Sequence, residues 1–128
     1  MKSFFTAAIL FVSMTACSNE QQQTARQVQA LLSWTATADM VLDARAKMHV
    51  SDSFTALTVD RCGKEIGSLS KELPASPQDL AAVASRLTIT IGVAHDDIVN
   101  GRTGTVSQHL ADLRNLEAQL KASSGAAQ

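Results

Sequence analysis

Asp39 and Asp43 stand four residues apart in a stretch of helical character, so both carboxylates share one face, as metal binding or acid-base work asks of paired acids. Arg45 and Lys47 follow closely, and no Glu-x-x-His segment of the kind that completes a metal site in a helical bundle occurs in the chain. A solvated polar face is the reading that these two acids support. His49, His95 and His109 fall in three separate segments: at a helix end, beside Asp96-Asp97, and on the flank of the last helix three residues before Asp112. Ligands must converge to hold a metal, and nothing in this spacing brings them together, so neither a metal nor a cofactor is expected. Cys62 lies on an apolar stripe, where a thiol stays protonated and inert. The chain has no Gly-x-Ser-x-Gly elbow and no haem-attaching Cys-x-x-Cys-His. Asn100-Gly101-Arg102-Thr103-Gly104 lacks the Gly-Lys-Ser/Thr ending of a phosphate loop and reads as a turn. No catalytic residue is assigned.

The chemistry with a pattern behind it lies at the N-terminus. Lys2 supplies a positive charge, residues 4–12 are apolar apart from Thr6 and small residues, and Met14-Thr15-Ala16-Cys17 follows. The run falls short of the roughly 20 apolar residues that a spanning helix needs, so it reads as a secretion signal that is cleaved. Met14-Thr15-Ala16-Cys17 resembles the lipobox of bacterial lipoproteins, in which an aliphatic residue and two small residues precede the cysteine that becomes the lipidated first residue. Met14 departs from the usual Leu but is apolar and of similar size. The resemblance ends at Cys17, and it implies cleavage after Ala16, a lipid on Cys17 and attachment to a membrane. Ser18 in place of Asp implies the outer membrane facing the periplasm, by the sorting rule of enteric lipoproteins. With Cys17 lipidated, Cys62 has no partner in the chain and is either buried or the link in a disulfide-bonded homodimer.

The expected organisation is a signal peptide over residues 1–16, a lipidated Cys17 and polar tether over 17–24, a helical domain over 25–122 and a disordered tail over 123–128. The formal net charge of -1 becomes -2 once Lys2 is removed, which leaves no basic surplus for nucleic acid. Phe4, Phe5 and Phe11 belong to the signal, so the domain keeps Trp34 and Phe54 as its aromatics and has no Tyr. Its core must be aliphatic, which suits closely approaching helices and gives poor material for a sugar platform or base stacking.

Helical spacing carries most of the domain. Val28, Leu31, Leu32, Ala38, Val41, Leu42, Ala46 and Met48 mark a first helix over about 25–49. Ser51-Asp52-Ser53 offers N-cap side chains, and Val59, Cys62, Ile66, Leu69 and Leu73 then step along a second helix that ends before Pro74. Gly63 and Gly67 on that helix would admit a neighbouring backbone closely. Ser76-Pro77-Gln78-Asp79 combines an N-cap, a first-turn proline and an acid that meets the helix dipole. Leu80, Val83, Ala84, Leu87, Ile91, Ala94 and Ile98 continue the third helix, while Val106, Leu110, Leu113, Leu116 and Leu120 mark the last, over about 105–122. The spacing predicts an all-α fold, a small three- or four-helix bundle. The alternative is α+β, because residues 54–59 are rich in β-branched side chains and residues 87–93 alternate with the period of a strand.

The function these readings imply is that of a non-enzymatic envelope lipoprotein whose helical domain binds a protein partner, in an assembly or pilot, exclusion or immunity role. A periplasmic binding or sensor module for a small apolar ligand is the alternative. A periplasmic enzyme with a dispersed site ranks last.

Overall fold

The computed structural model describes the backbone of residues 2–74 and 78–127, and the side chains of residues 22–74 and 79–123. Among the described residues four helices form, α1 over Lys2–Ala46, α2 over Asp52–Glu72, α3 over Gln78–Val99 and α4 over Val106–Ala127, with one 3-10 turn at Thr103–Thr105 leading into α4. They pack as an all-α bundle, with no strand among the described residues. Each helix lies against its two neighbours in a ring that α1 and α4 close, and across the diagonals α1 barely touches α3. Neighbours run antiparallel, as the short connections require. A Cβ on Gly63 would meet Ile91 and one on Gly67 would meet Thr88, so α2 descends as α3 climbs. Near the other end, Gln27 donates a hydrogen bond to the Glu72 carbonyl.

Residues 87–93 are helical, and so are residues 54–59. The apolar spacing of a helix holds from Leu80 to Ile98, every marked residue being buried, whereas strand-like alternation covers only residues 87–93. Ile89, which alternation would pair with Leu87 and Ile91, points to solvent. The core is aliphatic throughout: Val28, Leu31, Ala38, Val41 and Leu42 from α1, Val59, Cys62 and Ile66 from α2, and every stripe residue of α3 and α4. Leu32, Leu69 and Leu73 are half-buried at its edge. Ala46 and Met48, expected on the first stripe, are exposed, because α1 ends at Ala46 and the chain turns away there. Thr35 and Thr55 take fully buried positions on the α1 and α2 stripes, which their hydroxyls tolerate by donating to the carbonyls of Leu31 and Ser51, at 2.7 and 2.8 Å.

Two termini differ from the spacing's expectation. The backbone of α1 is helical from Lys2, so residues 18–24, expected as a tether, continue the helix. That of α4 stays helical through Ala127, over most of the expected tail. Ser76 and Pro77, the expected cap of α3, lie outside the described residues, as do the side chains of Met14, Thr15, Ala16 and Cys17. Asp79 does sit in the first turn of α3, where the dipole favours an acid.

Candidate functional site

α1 and α3 end on the same backbone device. At α3, the N–H of Gly101 donates to the Ile98 carbonyl at 3.1 Å and that of Arg102 to the Asp97 carbonyl at 2.7 Å, with Gly101 at φ +76°. This paired closure is the Schellman motif, which needs a left-handed residue just past the helix. At α1, Met48 and His49 donate to the carbonyls of Arg45 and Ala44, and Met48 holds the left-handed position at φ +60°.

Beyond Gly101 the side chains converge on one carboxylate. Asp97, near the end of α3 and almost wholly buried, accepts from Arg102 Nε at 2.8 Å through Oδ1. Its Oδ2 accepts from Thr105 Oγ1 at 2.9 Å and lies 2.6 Å from His109 Nε2. A carboxylate only accepts, so His109 Nε2 carries the proton in this contact. The hydrogen bonds from His109, Arg102 and Thr105 hold the Asp97 carboxyl down at about 2. An acid so close to a helix C-terminus opposes the dipole, and these three donors offset that. Thr105 Oγ1 also lies 3.0 Å from the Arg102 carbonyl, so the turn, the end of α3 and the start of α4 form one hydrogen-bonded unit.

Asp39 and Asp43 do share a face of α1, but they are not left to water. Arg114 of α4 donates to both Asp39 oxygens at 3.2 Å and to Asp43 at 3.3 Å, and Lys47 reaches Asp43 at 2.9 Å. Lys47 first, with Arg114, lowers the Asp43 carboxyl below its ordinary value. The paired acids clamp α1 to α4. Arg45 likewise pairs with Asp52 across the α1–α2 turn, where the Ser51 hydroxyl caps α2 by accepting from the Phe54 N–H.

The histidines stay apart. His49 sits past the end of α1 and is exposed. His95 Nδ1 lies 3.4 Å from the carboxylate of its neighbour Asp96, and His109 alone joins the Asp97 cluster. Among the described residues no three His, Cys, Asp or Glu side chains are placed to hold a metal ion. Cys62 is fully buried, and burial pushes its thiol up to about 11. A thiol there is inert, and a bridge through it to a second chain would require the bundle to open.

Surface grooves flank α3 on both sides among the described residues. One of about 300 Å³ runs along α3 and α4 and is lined by Arg86, Ile89, Thr90, Asp112 and Asn115 among others. The second, about 250 Å³, lies over Gly63 and Gly92 between α2 and α3, with Asp60, Lys64 and His95 on its rim. The first is polar-edged, and the second has a charged rim over an apolar floor that includes Val59, Gly63, Ile91 and Gly92. Every buried side-chain nitrogen and oxygen among the described residues has a hydrogen-bond partner. Among these residues no helix is long and apolar enough to cross a membrane.

Sequence reasoning missed Asp97 as a hub, together with Arg102, Thr105 and Arg114. A signal for Asp97 existed: it falls three residues after Ala94 and beside Ile98, an acid at the edge of an apolar stripe, with an arginine five residues on. Comparison of the chain with protein-family models, curated proteins and solved structures finds no match.

Proposed function

We propose that the protein is an envelope lipoprotein, anchored by a lipid on Cys17, whose helical bundle is a non-enzymatic platform for a protein partner. The observation that carries this reading is Met14-Thr15-Ala16-Cys17 after a short apolar run headed by Lys2. The bundle's chemistry fits a platform better than a catalyst. Asp97, the carboxylate held lowest, has both oxygens engaged by Arg102, Thr105 and His109, and the Asp39–Asp43 pair is engaged by Arg114. Each of these groups joins one helix to the next. The groove along α3 and α4 is edged by the charged and amide side chains of Arg86, Asp112, Asn115 and Gln119, which suits a polypeptide surface rather than a small apolar ligand.

Fractionation of cells producing the Cys17→Ser variant tests the anchor. The variant is expected in the soluble fraction with its helical circular dichroism retained, and a variant that stays on the membrane through a high-salt wash overturns the lipid reading. Solubilised envelope tests the platform: a protein should co-purify with the bundle. Retention of a lipid or small molecule without any protein would reverse the assignment in favour of a ligand carrier.

A further inference from the structure

The middle turns of α3 face solvent with apolar residues where those of α2 and α4 carry ion pairs; on α2 the exposed apolar residues Phe54 and Leu57 lie in its first two turns. On α2 the outward turns carry the ion pairs Asp60–Lys64 and Arg61–Glu65, four residues apart, and α4 carries Glu117–Lys121. These are charges arranged along a helix for water. Between Arg86 and Asp96 of α3, the exposed residues are Ile89, Gly92 and Val93, with Ile89 63% and Val93 45% exposed. β-Branched residues and glycine are poor helix formers, and a wet helix surface has no need of them.

Their spacing is ordered. Ala82, Arg86, Ile89, Val93, Asp96 and Asn100 step by four, three, four, three and four, all exposed, which is the seam of a helix that packs lengthwise on another. No residue of another helix claims the charges on this seam among the described residues. Arg86 has no hydrogen-bond or ion-pair partner among the described residues, and the side chain of Asp96 meets only its neighbour His95, at 3.4 Å. Nothing lies within 4 Å of where a Cβ on Gly92 would stand, so the backbone beside the seam is open to close approach.

We propose that this seam is a self-association face, on which two copies of the chain pack α3 against α3, antiparallel, about a two-fold axis beside Ile91. In that register Arg86 opposes Asp96 of the second copy, Ile89 opposes its Val93 and Ala82 its Asn100, and the symmetry repeats each contact in reverse. A two-fold interface must be self-complementary in this way. The seam meets the condition because its basic and acidic ends lie at equal distances from its apolar middle. The contact is noncovalent and leaves Cys62 in the core. One helix face is small beside a standard interface of about 1,600 Å², so the dimer is a weak, concentration-dependent one. The pairing does not rest on the lipid anchor, and its test is separate.

Sedimentation equilibrium of the full chain, in density-matched detergent and under reducing conditions, reads the mass over about 5–500 µM, the range of a weak complex. The wild-type protein is expected to pass from monomer to dimer across that range. Arg86→Glu sets a carboxylate against Asp96 of the second copy and should weaken the dimer about tenfold or more. Asp96→Arg, which opposes two cations, should do the same. The double exchange Arg86→Glu with Asp96→Arg restores opposite charges and should bring the association back to within about threefold of wild type. All are surface changes whose folding is checked by circular dichroism. A wild-type protein that remains monomeric throughout, single variants that associate as well as wild type, or a double exchange that fails to recover would each overturn the proposal.

Discussion

The α1–α2 and α3–α4 turns lie at the same end of the bundle and close their first helix with the same two backbone hydrogen bonds, yet they are held in different ways. At α3–α4 a glycine takes the left-handed position, and a nearly buried carboxylate gathers the turn and the next helix through three donors. At α1–α2 Met48, a residue 79% exposed, takes that position, and the ion pair beside it, Arg45–Asp52, lies partly in water. Backbone geometry is therefore common to both turns and side-chain chemistry is not. The sterically relaxed turn is also the one that carries the buried charge.

The largest effect expected from this contrast follows from Asp97→Ala, which strands the buried donor of His109 and releases Arg102 and Thr105 from the cluster. Thermal unfolding should fall by roughly 5–10 °C, while Asp52→Ala at the other turn should shift it by no more than about 3 °C, as befits a partly solvated pair. A comparable loss in both variants would erase the distinction. Acid titration sharpens it. Because the folded Asp97 carboxyl is held at about 2, below its ordinary value, its contribution is present above about pH 4 and is lost as pH falls toward 2. Urea titrations should accordingly show the gap between wild type and Asp97→Asn narrowing over that interval, and a gap that stays constant would dissociate the cluster from stability.

Smaller and opposite effects are expected from the backbone itself. Met48→Gly should stabilise by about 1 kcal/mol, since it removes the left-handed penalty and a side chain that is mostly in water, and Gly101→Ala should cost about the same. Chemical denaturation measures both, and equal signs would contradict the shared geometry. The smallest difference concerns α2. Gly67→Ala gains helix propensity, up to about 1 kcal/mol, with ordinary contact at Thr88 3.8 Å away, whereas in Gly63→Ala the new methyl meets Ile91 at 3.2 Å and should gain less or lose.

Local and periodic features are legible in the amino-acid order. The stripes of α3 and α4 are buried residue for residue, and Ser51 does cap α2, because these depend on spacing within one helix. Met48 breaks the pattern for an instructive reason: it keeps the stripe's spacing but lies beyond the helix end, where spacing no longer sets direction. The clamp of Arg114 on Asp39 and Asp43 joins residues more than seventy positions apart, and no local pattern signals it. The Asp97 cluster is intermediate, since its partners lie within twelve residues but meet it only once Gly101 has turned the chain. Charges on the α3 seam that no other helix claims become visible only when every other pair has been placed.

The proposed function rests on a different part of the chain from all of this. In the proposed function Cys17 becomes a lipid-bearing N-terminus from which the bundle is presented. Intact mass spectrometry of the protein extracted from membranes tests it most directly. A mass equal to residues 17–128 plus fatty acyl groups is expected. A mature chain that begins at any other residue, or one that begins at Cys17 with a free thiol and no acyl mass, would contradict it.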